Sequence, residues 1–179
     1  MIIKSKGHKY MGAFKKLVYY ILNQEKTEKQ EFLLTRYVVG DKTPENVIAH
    51  FEQNEKKRIV PRRKNSNVIY HDIISFEQRD SDKLKDIKLL KKLVRKYASL
   101  RADNAVMCST YHLDKQHFHI HLLFSATGID SKNVRLSRED FKKSKIEIEA
   151  WQDQFLKLEY SKIDHGSKKK STDMIASTI

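Results

Sequence analysis

Four histidines fall within ten residues, from His112 to His121, half of the eight in the chain. Three of them, His117, His119 and His121, alternate with Phe118, Ile120 and Leu122. Alternation of period two predicts a strand with imidazole on one face and bulky apolar groups on the other. Imidazoles grouped in this way suit a metal or phosphate site. Residues two apart on a strand are about 6.6 Å apart and can share one ion; His117 and His121 are about twice as far. Residues 105–112 read as a second strand, and 113–116 are a polar connection of hairpin length. The hairpin brings His112 back beside the far strand. The expected ligands are therefore His112, His119 and His121, with coordination positions left for a substrate oxygen. His117 is left over for phosphate. A lone strand histidine is usually just a half-buried polar residue; three in alternation, with a fourth one hairpin away, favour the site.

The rest of the chain must position that hairpin. Its 179 residues suit a single domain, read as 1–163 followed by a flexible basic tail, 164–179. Hydrophobic residues make up 39% and charged residues 33%, with a formal net charge of +13. Such an imbalance calls for a polyanion, nucleic acid above all. No apolar run is long enough to span a membrane, and the start of the chain lacks the apolar core of a signal peptide. The single cysteine, Cys108, precludes an internal disulfide and fits a reducing, cytoplasmic setting.

In order, 1–6 reads as a short strand and 7–12 as a basic link. Phe14, Leu17, Val18 and Ile21 recur at helical spacing, which predicts a helix over 12–24 with Lys15 and Lys16 off its apolar stripe. A strand over 31–39 stops at Gly40. Thr43, Pro44 and Glu45 open a helix that runs to about residue 57, with Val47, Ile48 and Phe51 inward. The loop 58–66 carries Arg62, Arg63 and Lys64, which with Lys15 and Lys16 are the expected DNA-phosphate contacts. Residues 67–76 form a strand bearing His71 and Ser75. Ser81 is the expected cap of a helix over 82–101, with Leu84, Ile87, Leu90, Leu93, Val94 and Tyr97 inward. After the hairpin, 104–126, Ser137 opens the last helix, 137–160, with Phe141, Ile148, Trp151, Phe155 and Leu158 inward. The implied class is α+β: an antiparallel-rich central sheet with helices packed on it. The histidines would lie on its open side.

Three motifs in this order resemble the relaxases of the HUH endonuclease superfamily, of the MobA/MobL and VirD type. Residues 14–22, Phe-Lys-Lys-Leu-Val-Tyr-Tyr-Ile-Leu, are similar to the helix that carries the family's nucleophilic tyrosine. His71, Ser75 and Phe76 resemble its His-x-x-x-Ser-Phe strand. His112, Asp114, His117, His119 and His121 resemble its metal motif. The family often has asparagine where this chain has Ser125. The resemblance implies site- and strand-specific DNA nicking for plasmid mobilisation. A tyrosine attacks the phosphodiester to give a 5′-phosphotyrosine and a free 3′-hydroxyl, assisted by a divalent ion. By the same resemblance Tyr20 is the nucleophile, with Tyr19 as second choice. Asp114 would orient a ligand imidazole, while His71 and Ser75 would act behind the ligands or on DNA. Mg²⁺ or Mn²⁺ is implied in use, and imidazole ligands would also accept Zn²⁺. Single-stranded and origin-of-transfer DNA are the implied substrates, beside accessory relaxosome and coupling proteins.

Three alternatives compete. Residues 117–123 also fit the pattern of histidine-triad nucleotide hydrolases, which use no metal; the +13 charge and the upstream motifs argue against that reading. A replication initiator or transposase of the same superfamily would use a tyrosine after the histidines, such as Tyr160. A non-catalytic DNA-binding accessory protein would keep the histidines as structural zinc ligands.

Overall fold

The computed structural model describes residues 1–22, 33–59, 61–113 and 117–162. Among these residues, five strands form one sheet: Ile2–His8 (β1), Leu34–Arg36 (β2), Ile69–Glu77 (β3), Ala105–Leu113 (β4) and His117–Gly128 (β5). Their spatial order is β1-β3-β5-β4-β2, and every neighbouring pair is antiparallel. Among the described residues, four helices complete the α+β fold: Met11–Ile21 (α1), Pro44–Lys56 (α2), Ile87–Ala102 (α3) and Arg138–Phe155 (α4). Among the described residues, no helix is long and apolar enough to cross a membrane.

The sheet has a core on each face. Ile74 and Phe76 of β3 and Phe118, Ile120, Leu122 and Phe124 of β5 pack with α3 and α4 through Leu90, Leu93, Tyr97 and Ile148. Alternation puts His119 and His121 of β5 on the opposite face. That face is not open along its whole length, as the sequence suggested. Ile69, Val106, Cys108 and Leu123 occupy half of it and seat Phe14, Val18 and Ile21 of α1 and Val47, Ile48 and Phe51 of α2. Cys108 is buried there, and burial pushes its thiol pKa well up, so it acts as a small core residue.

An ion pair pins β3 to α3 inside the larger core. The fully buried Asp72 carboxylate accepts hydrogen bonds from Tyr97 Oη at 2.9 Å, Arg101 Nε at 2.9 Å and Ser5 Oγ. The Arg101 guanidinium lies over the rings of Tyr70, Phe124 and Phe141, at 4.7, 5.7 and 5.6 Å. Charge and stacking together satisfy a cation that is otherwise costly to bury.

Several elements differ from expectation for local reasons. β1 runs on to His8, so part of the supposed link is paired strand. β2 spans three residues, because Tyr37 turns out of the sheet at φ 57° and Gly40 follows at φ 82°. Ser81 does not cap α3: it lies in a 3₁₀ turn, Gln78–Leu84, and Asp86 caps the helix by accepting from the N–H groups of Lys88 and Leu89. Ile87, the first residue of that helix, is partly exposed rather than inward. α4 stops at Phe155, and Lys157 adopts φ 49° just beyond it. Phe155 is exposed and rests on Trp151, while Ile148 and Leu158 are buried as expected. Thr43 and Ser137 cap α2 and α4 through Asn46 N and Asp140 N. The tail, 164–179, lies outside the described residues.

Candidate active site

The antiparallel register gathers the histidines. β5 lies between β3 and β4, and His119 pairs with His112 of β4 on one side and Ser75 of β3 on the other. His121 pairs with Thr110 and Ile73, one step further along. Directly paired residues share a face, so His112, His119, His121, Thr110 and Ser75 all project to the α1 side. His71 joins them diagonally. The ring centres of His112 and His121 are 4.7 Å apart, those of His119 and His121 6.4 Å, and those of His71 and His121 5.1 Å. His8, at the end of β1, extends the row, with its ring 6.1 Å from that of His71.

Each of the three expected ligands is tied at one nitrogen. His121 Nδ1 meets His71 Nε2 at 2.9 Å, His119 Nδ1 meets Ser75 Oγ at 3.0 Å, and His112 Nε2 donates to the backbone carbonyl of Ile21. Burial, with His8 and Lys6 nearby, lowers the His71 pKa to about 4, so His71 is neutral at physiological pH. A neutral His71 can accept the proton of His121 Nδ1. That fixes the His121 tautomer and turns Nε2 into the acceptor. Ser75 can do the same for His119. These partners both come from β3, four residues apart.

The residues fit a metal ion. With metal–nitrogen bonds of ~2.1 Å, two imidazoles on one ion have ring centres roughly 4.5–6.5 Å apart, the range found here. Among the described residues, the buried polar side-chain atoms without a hydrogen-bond partner are His8 Nε2, Thr110 Oγ1 and Gln152 Nε2. The first two lie on the histidine face, as expected where a ligand completes the bonding. The rings are gathered rather than converged: among the described residues, no three His, Cys, Asp or Glu side chains already form a cage. Asp114 and the side chain of His117 lie outside the described residues.

Both candidate tyrosines are on the last turn of α1, half-exposed, while Phe14, Val18 and Ile21 face the core. Tyr19 Oη donates to Glu45 of α2 at 2.9 Å, and that bond raises its pKa and holds its proton. Tyr20 precedes Ile21, whose carbonyl is held by His112. The hydrogen bond therefore docks the tyrosine turn on the histidine strands.

The expected DNA contacts divide. Arg62 is mostly buried: it forks onto both oxygens of Glu55 and also meets Asn67 O and Thr127 Oγ1. Its donors tie the loop to α2 and β5. Lys15 pairs with Glu52 at 2.8 Å on the surface, and Lys16, Arg63 and Lys64 are exposed. Ser125, where the related motif often has asparagine, is buried and accepts from Asn54 of α2 at 3.0 Å. The sequence reading missed His8 and Thr110. Both sit in strand segments with polar residues on either face, which hides the alternation that revealed the β5 histidines.

Comparison with known proteins agrees with this fold. Residues 20–153, about three quarters of the chain, match the family model described as "Relaxase: MobA/VirD2-like, nuclease domain". The match begins at Tyr20 and contains all the histidine strands except β1. Among solved structures, the MobM relaxase domain (MOBV; Mob_Pre) bound to 26-nucleotide pMV158 oriT DNA is similar, at 17% identity and a TM-score of 0.60, over 95% of each chain. A Mn-bound crystal structure of the same domain with pMV158 oriT DNA aligns at 16% identity and a TM-score of 0.62, over 96% of this chain and 94% of that one. No curated protein matches the chain significantly. At these identities the structures speak for the fold, and the family match speaks for descent. The chain belongs to the MobA/VirD2-like relaxases, DNA-nicking enzymes of plasmid mobilisation, through their nuclease domain.

Proposed function

We propose that this chain nicks one strand of an origin of transfer with Tyr20 as nucleophile. The observation that carries the reading is the His112–Ile21 hydrogen bond, which holds the turn bearing Tyr20 against the imidazole cluster. Tyr20 Oη forms a bond to phosphorus and the bond to the 3′ oxygen breaks. The phenolic proton passes through solvent to that leaving oxygen. The product is a 5′-phosphotyrosine with a free 3′-hydroxyl, so the bond energy is kept for rejoining.

His112, His119 and His121 are the proposed ligands of a divalent ion, which when bound neutralises charge on the phosphoryl oxygens. The donor set is all imidazole, and the related MobM structures are Mn-bound. Mn²⁺ or Mg²⁺ is the proposed working ion, and Zn²⁺ is a ligand-compatible alternative. His71 and Ser75 hold the His121 and His119 rings in the ligating tautomer and are positioning residues. His117 and Asp114 remain candidates for phosphate contact and ring orientation. The exposed Lys16, Arg63 and Lys64 supply a salt-sensitive grip on DNA. The related MobM domains hold oriT DNA, and single-stranded origin DNA is the proposed substrate here. Accessory relaxosome and coupling proteins are the proposed partners, in the cytoplasm.

Tyr160 supports a second reading, since it lines a cavity with His119 and has the chain order of an initiator's nucleophile. Separate Tyr20→Phe, Tyr19→Phe and Tyr160→Phe variants distinguish the two on a single-stranded oligonucleotide bearing the cognate origin, with Mn²⁺ or EDTA. A covalent adduct that requires metal and disappears only in Tyr20→Phe supports the proposal. An adduct that survives Tyr20→Phe and disappears in Tyr160→Phe overturns it.

A further inference from the structure

A cavity of about 260 Å³ opens beside His119 at the edge of the sheet, lined in part by Ile2, Lys4, Ser75, Glu77, His119 and Tyr160. That volume equals roughly nine waters, room for one nucleobase. Its wall is built rather than incidental. Asp80 is buried and accepts hydrogen bonds from the backbone N–H groups of Glu159, Tyr160 and Ser161, at 3.1, 3.0 and 2.7 Å. Those bonds fix the segment that presents Tyr160 after α4 ends. The Arg79 guanidinium lies 4.1 Å from the centre of the Tyr160 ring and pairs with Glu77 at 3.3 Å. Lys4 and Lys6 stand exposed on β1, on the same face as His71 and Ser75, and give that edge a positive rail.

We infer that this cavity holds one unpaired base of the DNA strand next to the nick, with Tyr160 as its stacking platform and Lys4 at the adjoining phosphate. The chemistry selects this occupant. An aromatic ring beside lysine and arginine suits a π-faced anionic strand, and the shared His119–Ser75 wall puts the base next to the proposed cleavage site. Glu77 can accept from an exocyclic amine. A base stacked in duplex DNA cannot enter, so the cavity favours single strands. The inference rests on the nicking reading proposed above.

The test uses oligothymidylate carrying a single 5-iodouracil, with EDTA present so that no strand is cut. Photocrosslinked wild-type protein should carry the adduct at Tyr160, mapped by mass spectrometry. In fluorescence anisotropy, Tyr160→Leu and the cavity-filling Ile2→Trp should weaken single-strand binding roughly five- to a hundredfold. Duplex binding should not change. Tyr160→Phe, which keeps the ring, should bind single strands like wild type. Crosslinks elsewhere, with Tyr160→Leu binding like wild type, would overturn the proposal and leave the nicking reading intact. Loss of the covalent adduct in Tyr160→Phe would overturn it by making Tyr160 the nucleophile. A wild-type protein that neither prefers single strands nor forms an adduct on any origin DNA would overturn the nicking reading and this proposal with it.

Discussion

Breaking the buried Asp72–Arg101 pair should cost more than any surface change, and the structure gives the size. Arg101→Met keeps most of the apolar stem but leaves the Asp72 carboxylate buried without its counter-charge. Tyr97 and Ser5 would remain as donors; burial and the Asp72 carboxylate push the Tyr97 pKa well up, so its hydroxyl keeps the proton it donates. Two neutral donors do not replace a guanidinium, and orphaning one partner of a buried pair typically costs about 3–5 kcal/mol. At roughly 2–4 °C per kcal/mol for a chain of this size, the melting temperature should fall by about 6–20 °C. Asp72→Asn should cost less, because Arg101 keeps its three ring contacts and approaches Val134 O at 3.5 Å. Removing both charges, as Asp72→Leu with Arg101→Met, should recover much of the loss, since the apolar pair no longer carries an unpaired ion. Urea and thermal denaturation followed by circular dichroism would close the double-mutant cycle. A cost below about 1 kcal/mol for Arg101→Met, or a double variant no better than the worse single one, would refute the argument.

Three further outcomes are expected. His71→Phe and Ser75→Ala should each weaken Mn²⁺ binding roughly 10–100-fold while leaving the fold intact; titration calorimetry checks this, and unchanged affinity would remove both residues from the positioning role. Arg62→Gln should destabilise the protein by about 1–3 kcal/mol without altering the salt dependence of DNA binding, whereas Arg63→Gln and Lys64→Gln should each lower the salt slope by roughly one and spare stability. Burial pushes the Asp80 pKa up, but hydrogen bonds from Ser161, Glu159 and Tyr160 outweigh it and hold the carboxylate below its ordinary value. Its stabilisation is therefore complete above the ordinary carboxylate range and lost as pH falls through its lowered value. The stability gap between wild type and Asp80→Asn should be full at neutral pH and close in acid.

Much of this fold was legible because particular residues carry local rules. Alternation on β5 marked the histidine face, and Thr43 and Ser137 marked helix starts through their hydroxyls. Where two residues offered the same local signal, only tertiary contacts decided. Ser81 and Asp86 are both plausible caps; Asp86 is used because Leu84 is buried and the preceding turn follows 3₁₀ geometry to reach that position. Arg62, Arg63 and Lys64 look alike in sequence, and only the approach of Glu55 and Thr127 draws Arg62 inward. Tyr160 was visible in the sequence only as a tyrosine that follows the histidines; its place beside His119 was not, since the carboxylate that fixes its backbone comes from Asp80, eighty residues earlier.

The covering of the histidine face explains how the turn bearing Tyr20, the proposed nucleophile, is set beside the proposed ligands on β4 and β5. Along β5 that face changes from Leu123 to His121, and along β4 from Cys108 to Thr110 and His112. Register aligns the two changes, because Cys108 pairs with Leu123 and Thr110 with His121. One half of the face is thus apolar and the other polar, with a boundary that crosses both strands at the same level. A helix with an apolar stripe of Phe14, Val18 and Ile21 settles on the apolar half. It stops where burying further turns against imidazoles would leave polar atoms without partners. Its C-terminal carbonyls face the boundary, and a ring N–H is a favourable partner for the negative end of a helix. The His112–Ile21 bond is that contact. A one-residue slip between β4 and β5 would turn His112 to the other face and unseat α1 together with the proposed ligand set. The position of the tyrosine relative to the histidines is therefore set by the strand register and by the place where side-chain type changes along it.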